Sequence, residues 1–394
     1  MSYCGSGGAR KWLRHVYAPF LLHPVAKVVV LVSFAVLTGV AGWGASQLSE
    51  EFRQEWFIPP GSELLHYNEV NDEYFSSGGP PVWAYVGDWD PFKHQSLLPK
   101  LATQLKKSEW TADGDVTSWW NAFVNAQGGD VSGMNRTTLH SSIRSWYASP
   151  AASRYENDIV FKHESSTTDA SIEYTRISTF YLDLDNTRDE VAALQDVRSR
   201  VANAADDAGF DGEVFAFSFS YLQWEQAVVI PREAIQNIGL AILAVAVIVL
   251  LVVADPSMSI ILTLLIAAVL TNILGYMTFW DVALNGVSVV NLVLAIGVSI
   301  DYAVHIGHAF VHKHGTRDER AAKAISEMGL SVLNGGFSTF LAVVVLAGSV
   351  SYIFDVFFRF FFLSVIFGLT HGLILLPVVL SFIGPDAHAE ISLD

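Results

Sequence analysis

Inside a long apolar run, the stretch GVSIDYAVHIGHAF (Gly297 to Phe310) places Asp301 and His305 four residues apart. On a helix that spacing puts a carboxyl and an imidazole one turn apart on the same face. Burial raises a carboxylate's pKa and an imidazole titrates near neutrality, so the pair has the chemistry of a proton relay. A charge deep in a bilayer costs at least ~2.5 kcal/mol, so Asp301 is expected to face a helix bundle and hold a partner. Gly297, one turn earlier, leaves room on that stripe for another helix to approach. The rival reading is a static polar pair that locks two helices. A second rival is a metal site on His305, His308 and His312, at i, i+3 and i+7, although one straight helix seldom makes three such ligands converge. His371, in THGLILLPVV, reads as a helix-packing residue near the relay, in a notch with Thr370 and Gly372. Arg359 is expected to snorkel or to pair with Asp355 one turn before it.

A relay of this kind needs a membrane. Of the 394 residues 52% are hydrophobic and only 16% charged, too apolar for an ordinary soluble enzyme. Six segments reach the ~20 residues that a bilayer requires: Pro24–Ala45, Ile235–Ala254, Ser257–Trp280, Val287–Phe310, Leu330–Val350 and Val356–Ile383. Asp301 lies 14 residues into the fourth, ~20 Å along it. The first follows Arg10, Lys11 and Arg14 and reads as a retained signal anchor. Between Glu50 and Glu233 lie 29 of the 39 acidic residues but only 14 of the 23 basic ones, so an acidic domain interrupts a nearly charge-free membrane body. That surface argues against nucleic acid. The expected organisation is an N-terminal segment 1–23, a first span 24–45, an α/β domain 46–233, a five-helix bundle 234–383 and a tail 384–394.

Orientation comes from the loops. Lys313, Arg317, Arg320 and Lys323 mark the link His312–Lys323 as cytoplasmic, and a short surface helix is expected from about Thr316. Both termini then fall on the cytoplasmic side and the acidic domain on the other, where Asn135-Arg136-Thr137 forms a glycosylation sequon at Asn135. Strands are expected near Pro80–Trp89, Ala170–Leu184 and Glu213–Phe219. Helices are expected at Phe92–Ser108, with Pro99 a possible break, and at Asn186–Ala208, where Val191, Leu194, Val197 and Val201 share a face. A β-α-β, β-α-β order suggests a ferredoxin-like subdomain. The lumenal tryptophans Trp56, Trp83, Trp89, Trp119 and Trp120 read as core rather than as channel walls. A lone Cys4 allows no intrachain disulfide. Neither GxxxxGK[ST] nor GxSxG occurs, so no enzyme and no cofactor is expected.

Several stretches together resemble the C-terminal half of the Niemann–Pick type C1 / Patched family, of the resistance-nodulation-division (RND) type. They are YAPFLLHP, WFIPPGSELLHYNEVNDEYFSSGGPPVWAYV, FSFSYLQWEQ, NGVSVVNLVLAIGVSIDYAVHIGHAF, SEMGLSVLNGGFSTF and THGLILLPVVLSFIGP. The region of about 87–170 has no such match. The resemblance implies a polytopic α-helical membrane protein, an RND-type half of six transmembrane helices with an inserted α/β ferredoxin-like lumenal domain. It also implies transport of a sterol or related lipid, coupled to protons through Asp301 and His305. Two alternatives stand beside it: a non-transporting lipid-sensing receptor or scaffold, and an incomplete half of a twelve-helix transporter. The expected partners are a sterol or other lipid, the membrane, and either a second copy or a missing N-terminal half. The expected location is an endomembrane (lysosomal or endosomal) or the plasma membrane.

Overall fold

The computed structural model of the chain describes residues 6–51, 53–75, 78–114, 116–163, 165–166, 168–184 and 186–386. Cys4 and the tail from 387 onward lie outside them. The chain forms two compact units, Met1–Leu65 with Val229–Asp394, and His66–Val228.

Along the chain, α1 (Ser6–Trp12), a π-helical turn (Leu13–Tyr17) and α2 (Ala18–Leu21) precede α3 (Pro24–Ala45) and α4 (Glu63–Tyr74). The second unit then holds β1 (Pro81–Trp89), α5 (Leu97–Lys106), α6 (Trp119–Ala126), α7 (Arg136–Tyr147), β2 (Ile159–Phe161), β3 (Ile172–Phe180), α8 (Thr187–Asp207) and β4 (Val214–Phe217). After them come α9 (Tyr221–Val253), α10 (Pro256–Phe279), α11 (Gly286–Val311), α12 (Arg317–Val344), α13 (Tyr352–Thr370), a second π-helical turn (His371–Leu375) and α14 (Leu376–Ile383).

In the second unit the strands pair antiparallel in the order β2-β3-β1-β4, with Ala84 of β1 opposite Ile177 of β3 and Ala216 of β4. Alternation sends Val82, Ala84 and Val86 into one core with Leu98, Leu101 and Leu105 of α5 and Leu194, Val197 and Val201 of α8. The α8 helix starts where Asn186 accepts from the Asp189 amide, at 2.9 Å. Pro99 does not break α5: it is the third helical residue, where the amide has no intrahelical acceptor to lose. Trp89, Trp119 and Trp120 meet edge to face at the centre of this core. The Trp119 indole N–H donates to Thr175 Oγ1 at 2.6 Å, so these rings fill the domain and line no channel.

Six helical segments are long and apolar enough to cross a membrane. In their most apolar stretches α10, α11 and the α13–α14 run are 56, 50 and 67% buried, against 11% for α3, α9 and α12. The first three therefore form the centre of the bundle. α3 crosses α10 backbone to backbone: a Cβ on Gly275 would stand 2.0 Å from the Ala41 carbonyl oxygen.

One expectation fails here. The helix begun at Thr316 is no short surface piece, because α12 continues without a break from Arg317 into its span. A Thr316/Glu319 capping box starts it, and the good helix formers of Arg320–Ile325 carry it on, with neither proline nor a turn signal before the apolar run.

Candidate functional site

Asn285 positions α11. Its side chain caps α11 through the Val287 and Ser288 amides, and Ser288 Oγ accepts the Asn285 amide in return. The start of the helix fixes the angular position of everything after it. Leu292, Ala295, Ile296, Ser299, Tyr302 and Ile306 are buried in the bundle. Val290, Leu294, Gly297, Asp301 and His305 follow each other at steps of three and four, and all are exposed. They form one open stripe along the length of α11.

The sequence places Asp301 and His305 one turn apart on one face, and the structure keeps them so. It does not turn them inward. Neither side chain makes a hydrogen bond or ion pair with a described residue. Gly297 also meets no neighbour, as a Cβ built there has nothing within 4 Å. The expected interior partner is missing for a geometric reason. The bundle side of α11 is already filled by mostly apolar side chains, and no described helix covers the opposite side. The His308 and His312 ring centres lie 4.4 Å apart with their planes tilted by 30°, and no group of three candidate metal ligands converges among the described residues.

His371 sits behind the stripe and is entirely buried. Its Nδ1 lies 2.8 Å from the Phe367 carbonyl and its Nε2 3.1 Å from Asn272 Nδ2. A carbonyl only accepts, so Nδ1 carries the proton and Nε2 accepts from the amide; the neutral ring meets both needs. The Asn272 amide also donates to the Ala268 carbonyl (2.9 Å) and to Thr38 Oγ1 (3.3 Å), which ties α3, α10 and the π-turn together. The next residue, Gly372, lets that turn touch α11 beside Asp301: a Cβ there would lie 2.5 Å from the Tyr302 carbonyl oxygen. His371 is thus a buried, hydrogen-bonded residue whose turn abuts the backbone of α11.

Other polar side chains also find partners. Arg359 binds Asp355 at 2.6 Å and donates to the Trp280 carbonyl at 2.6 Å. Trp56 stacks on Tyr352, ring centres 4.5 Å apart. Asn135 is exposed and caps α7 by accepting from the Thr138 amide at 2.9 Å.

Sequence reasoning passed over Asn272 and gave Arg320 only a topological part. Arg320 is 2% exposed and donates to the Phe310 carbonyl, at the end of α11, and to Pro385 O at 2.7 Å. Arg317 likewise donates to Gly384 O and Phe382 O. These cations close two helix C-termini. A lone asparagine in an apolar span was a signal for Asn272; nothing in the sequence separated Arg320 from its charged neighbours.

A comparison with protein-family models finds none that matches. Among known proteins, the chain is 29% identical over 385 residues to the Niemann-Pick type C1-related protein of Toxoplasma gondii, covering 96% of this chain and 32% of that protein. It is 36% identical over 450 residues to the NPC intracellular cholesterol transporter 1 of Sus scrofa, covering 97% and 35%. The chain spans about a third of the length of the relatives it matches. Among solved structures, the hedgehog release protein Disp from the water bear Hypsibius dujardini superposes with a TM-score of 0.65 at 14% identity, over 94% of this chain and 50% of that one. That likeness is one of fold, and with the six spans it makes this a polytopic helical membrane protein.

Proposed function

Starting from the membership of this chain in the Niemann–Pick C1-related family of membrane proteins, we propose that it takes part in moving a sterol or similar lipid, coupled to protons at Asp301 and His305. One observation carries the coupling. A carboxyl and an imidazole stand one turn apart, without partners among the described residues, on an open stripe of a long apolar helix. Such groups are costly in lipid and belong where a protein surface or a water path meets them. The stripe is therefore a contact face, covered by a second six-helix half or by a second copy of this chain. Asp301 carries the proton and His305, one turn on, relays it. The packed turn at His371–Gly372 passes a change in α11 to α3 and α10.

The finer architecture belongs to the same reading. The β-α-β, β-α-β order and the β2-β3-β1-β4 sheet support a ferredoxin-like core for the inserted domain. Residues 46–233 are proposed to lie in the lumen or outside the cell, with Asn135 glycosylated and both termini cytoplasmic, in an endomembrane or the plasma membrane.

The exposed sheet face of the second unit favours a second reading. Tyr85 stacks on Phe215, Phe219 meets Trp83, and Arg176 lies over the Trp83 ring. This aromatic surface suits a receptor or scaffold that binds a protein.

The deciding experiment uses native membranes expressing the Asp301→Asn protein. Loss of proton-dependent sterol flux with normal abundance is expected. Unchanged flux removes the relay, and flux that resists every sterol competitor removes the sterol.

A further inference from the structure

The residues before the first span do not run free. α1, the π-turn and α2 make a bent helix docked through Leu13, Ala18 and Leu21, in a cluster with Ile325 of α12 and Val378 of α14. The Tyr17 hydroxyl donates to the Leu373 carbonyl at 3.1 Å and pins the bend to the π-turn after α13. The outer side of the bend carries two chemistries: Arg10, Lys11 and Arg14 are exposed, and so are Trp12, Val16 and Phe20. That is the make-up of a helix lying in the membrane interface.

Between this bend and the start of α3 lies a cavity of about 680 Å³, lined by Tyr17, Phe20, Val25, Val29, Val30 and Ile374, among others. Its size falls within the ~300–1,000 Å³ of small-molecule sites. The walls are almost wholly hydrocarbon. His23, at the N-cap of α3, stands at its polar edge, and the Tyr17 hydroxyl is already engaged.

The charge around the cavity is one-sided. No acidic residue occurs before Glu50. The nearby acids of α12 are engaged: Asp318 holds Lys27 at 2.6 Å, Glu319 caps Thr316, and Glu327 pairs with Lys313. Arg10, Lys11 and Arg14 make no ion pair among the described residues. Arg14 and Arg10 stand three and seven residues before Tyr17, so they lie one and two turns along the helix from a wall of the cavity.

From the apolar cavity and its uncompensated basic rim, we infer that this elbow seats an anionic phospholipid of the adjoining leaflet. An acyl chain fills the cavity, and the phosphate rests against Arg10, Arg14 and Lys11. A sterol matches the walls but offers only a hydroxyl, which leaves three cations without counter-charge. Anionic headgroups attract clustered basic residues beside a span, and salt weakens that attraction. The inference is independent of sterol transport and of Asp301.

The test places the full chain in phosphatidylcholine vesicles doped with phosphatidylserine that carries a photoreactive acyl chain, and maps the adducts by mass spectrometry. Labelling of residues 16–30 is expected to exceed that by photoreactive phosphatidylcholine by about fivefold. Combined Arg10→Gln, Lys11→Gln and Arg14→Gln should erase the preference, and Ala26→Trp, which fills the cavity, should cut labelling by both lipids. Each variant is first checked for an unchanged gel-filtration profile. Equal labelling by the two lipids, no labelling, or labelling displaced by cholesterol but not by phosphatidylserine overturns the inference.

Discussion

Two of the polar pairs in the apolar helices of the membrane unit are built in opposite ways. Asn272 and His371 are wholly buried and neutral; the Asn272 amide nitrogen and both ring nitrogens are bonded, to each other and to two backbone carbonyls, while Asn272 Oδ1 meets no partner among the described residues. Asp301 and His305 are exposed on α11 and bonded to nothing described. A buried polar group that meets its partners holds helices in place, because breaking the set strands a donor or acceptor in a medium without water. A titratable pair with no partner adds nothing to the fold of this chain and is free to serve chemistry. The first pair ties three segments together, and the second stands open on the surface of α11.

The sharpest way to break this contrast is to damage each pair and compare stabilities. His371→Ala removes a packed ring and one of the three acceptors of the Asn272 amide, and is expected to cost about 2–4 kcal/mol. Asp301→Asn in the same thermal assay is expected to shift stability by no more than about 0.5 kcal/mol. Equal losses would make Asp301 a structural residue after all.

A smaller effect extends the contrast to a buried charge with partners. Arg320→Met keeps much of the hydrocarbon stem but leaves the Phe310 and Pro385 carbonyls without their donors. The expected cost is about 1–3 kcal/mol, read from the unfolding midpoint. A neutral result would show that water takes over the capping of α11.

The smallest effect lies in the acidic domain. The Asp169 carboxylate accepts from the Ser171 hydroxyl at 2.7 Å and from the Ser171 amide at 2.9 Å. These bonds, the hydroxyl's foremost, hold its pKa below the usual carboxylate range. Because the folded value is the lower one, the contribution is fully present above the unfolded pKa of ~3.9 and fades as pH falls through the folded value. Asp169→Asn should thus lower the urea midpoint slightly at pH 6, with the difference vanishing near pH 2. A difference that persists in acid would assign the effect to packing.

Legibility differed with the range of the forces involved. Asn186 and the spacing of Leu194, Val197 and Val201 announce α8 to within a residue, because a cap and a 3.6-residue period are local. Pro24–Ala45 is legible for the same reason. β2 is hidden because Ile159–Phe161 is only three residues long, and it becomes a strand by pairing with β3. α6 is only 8 residues long and α7 is largely polar, so neither stands out, and both are held by tryptophans that gather from distant places.

The candidate site divides along the same line. The amino-acid order by itself sets six apolar spans, an acidic insert, and Asp301, His305 and Gly297 on a single helical stripe, because helix geometry and hydrophobic transfer act within about twenty residues. Which side of that stripe meets the bundle, that His371 finds Asn272, and that Arg320 closes α11 were decided only in the tertiary structure. Those outcomes depend on which helices reach a given face, and residues as far as 234 positions apart settle it by meeting at the same surface.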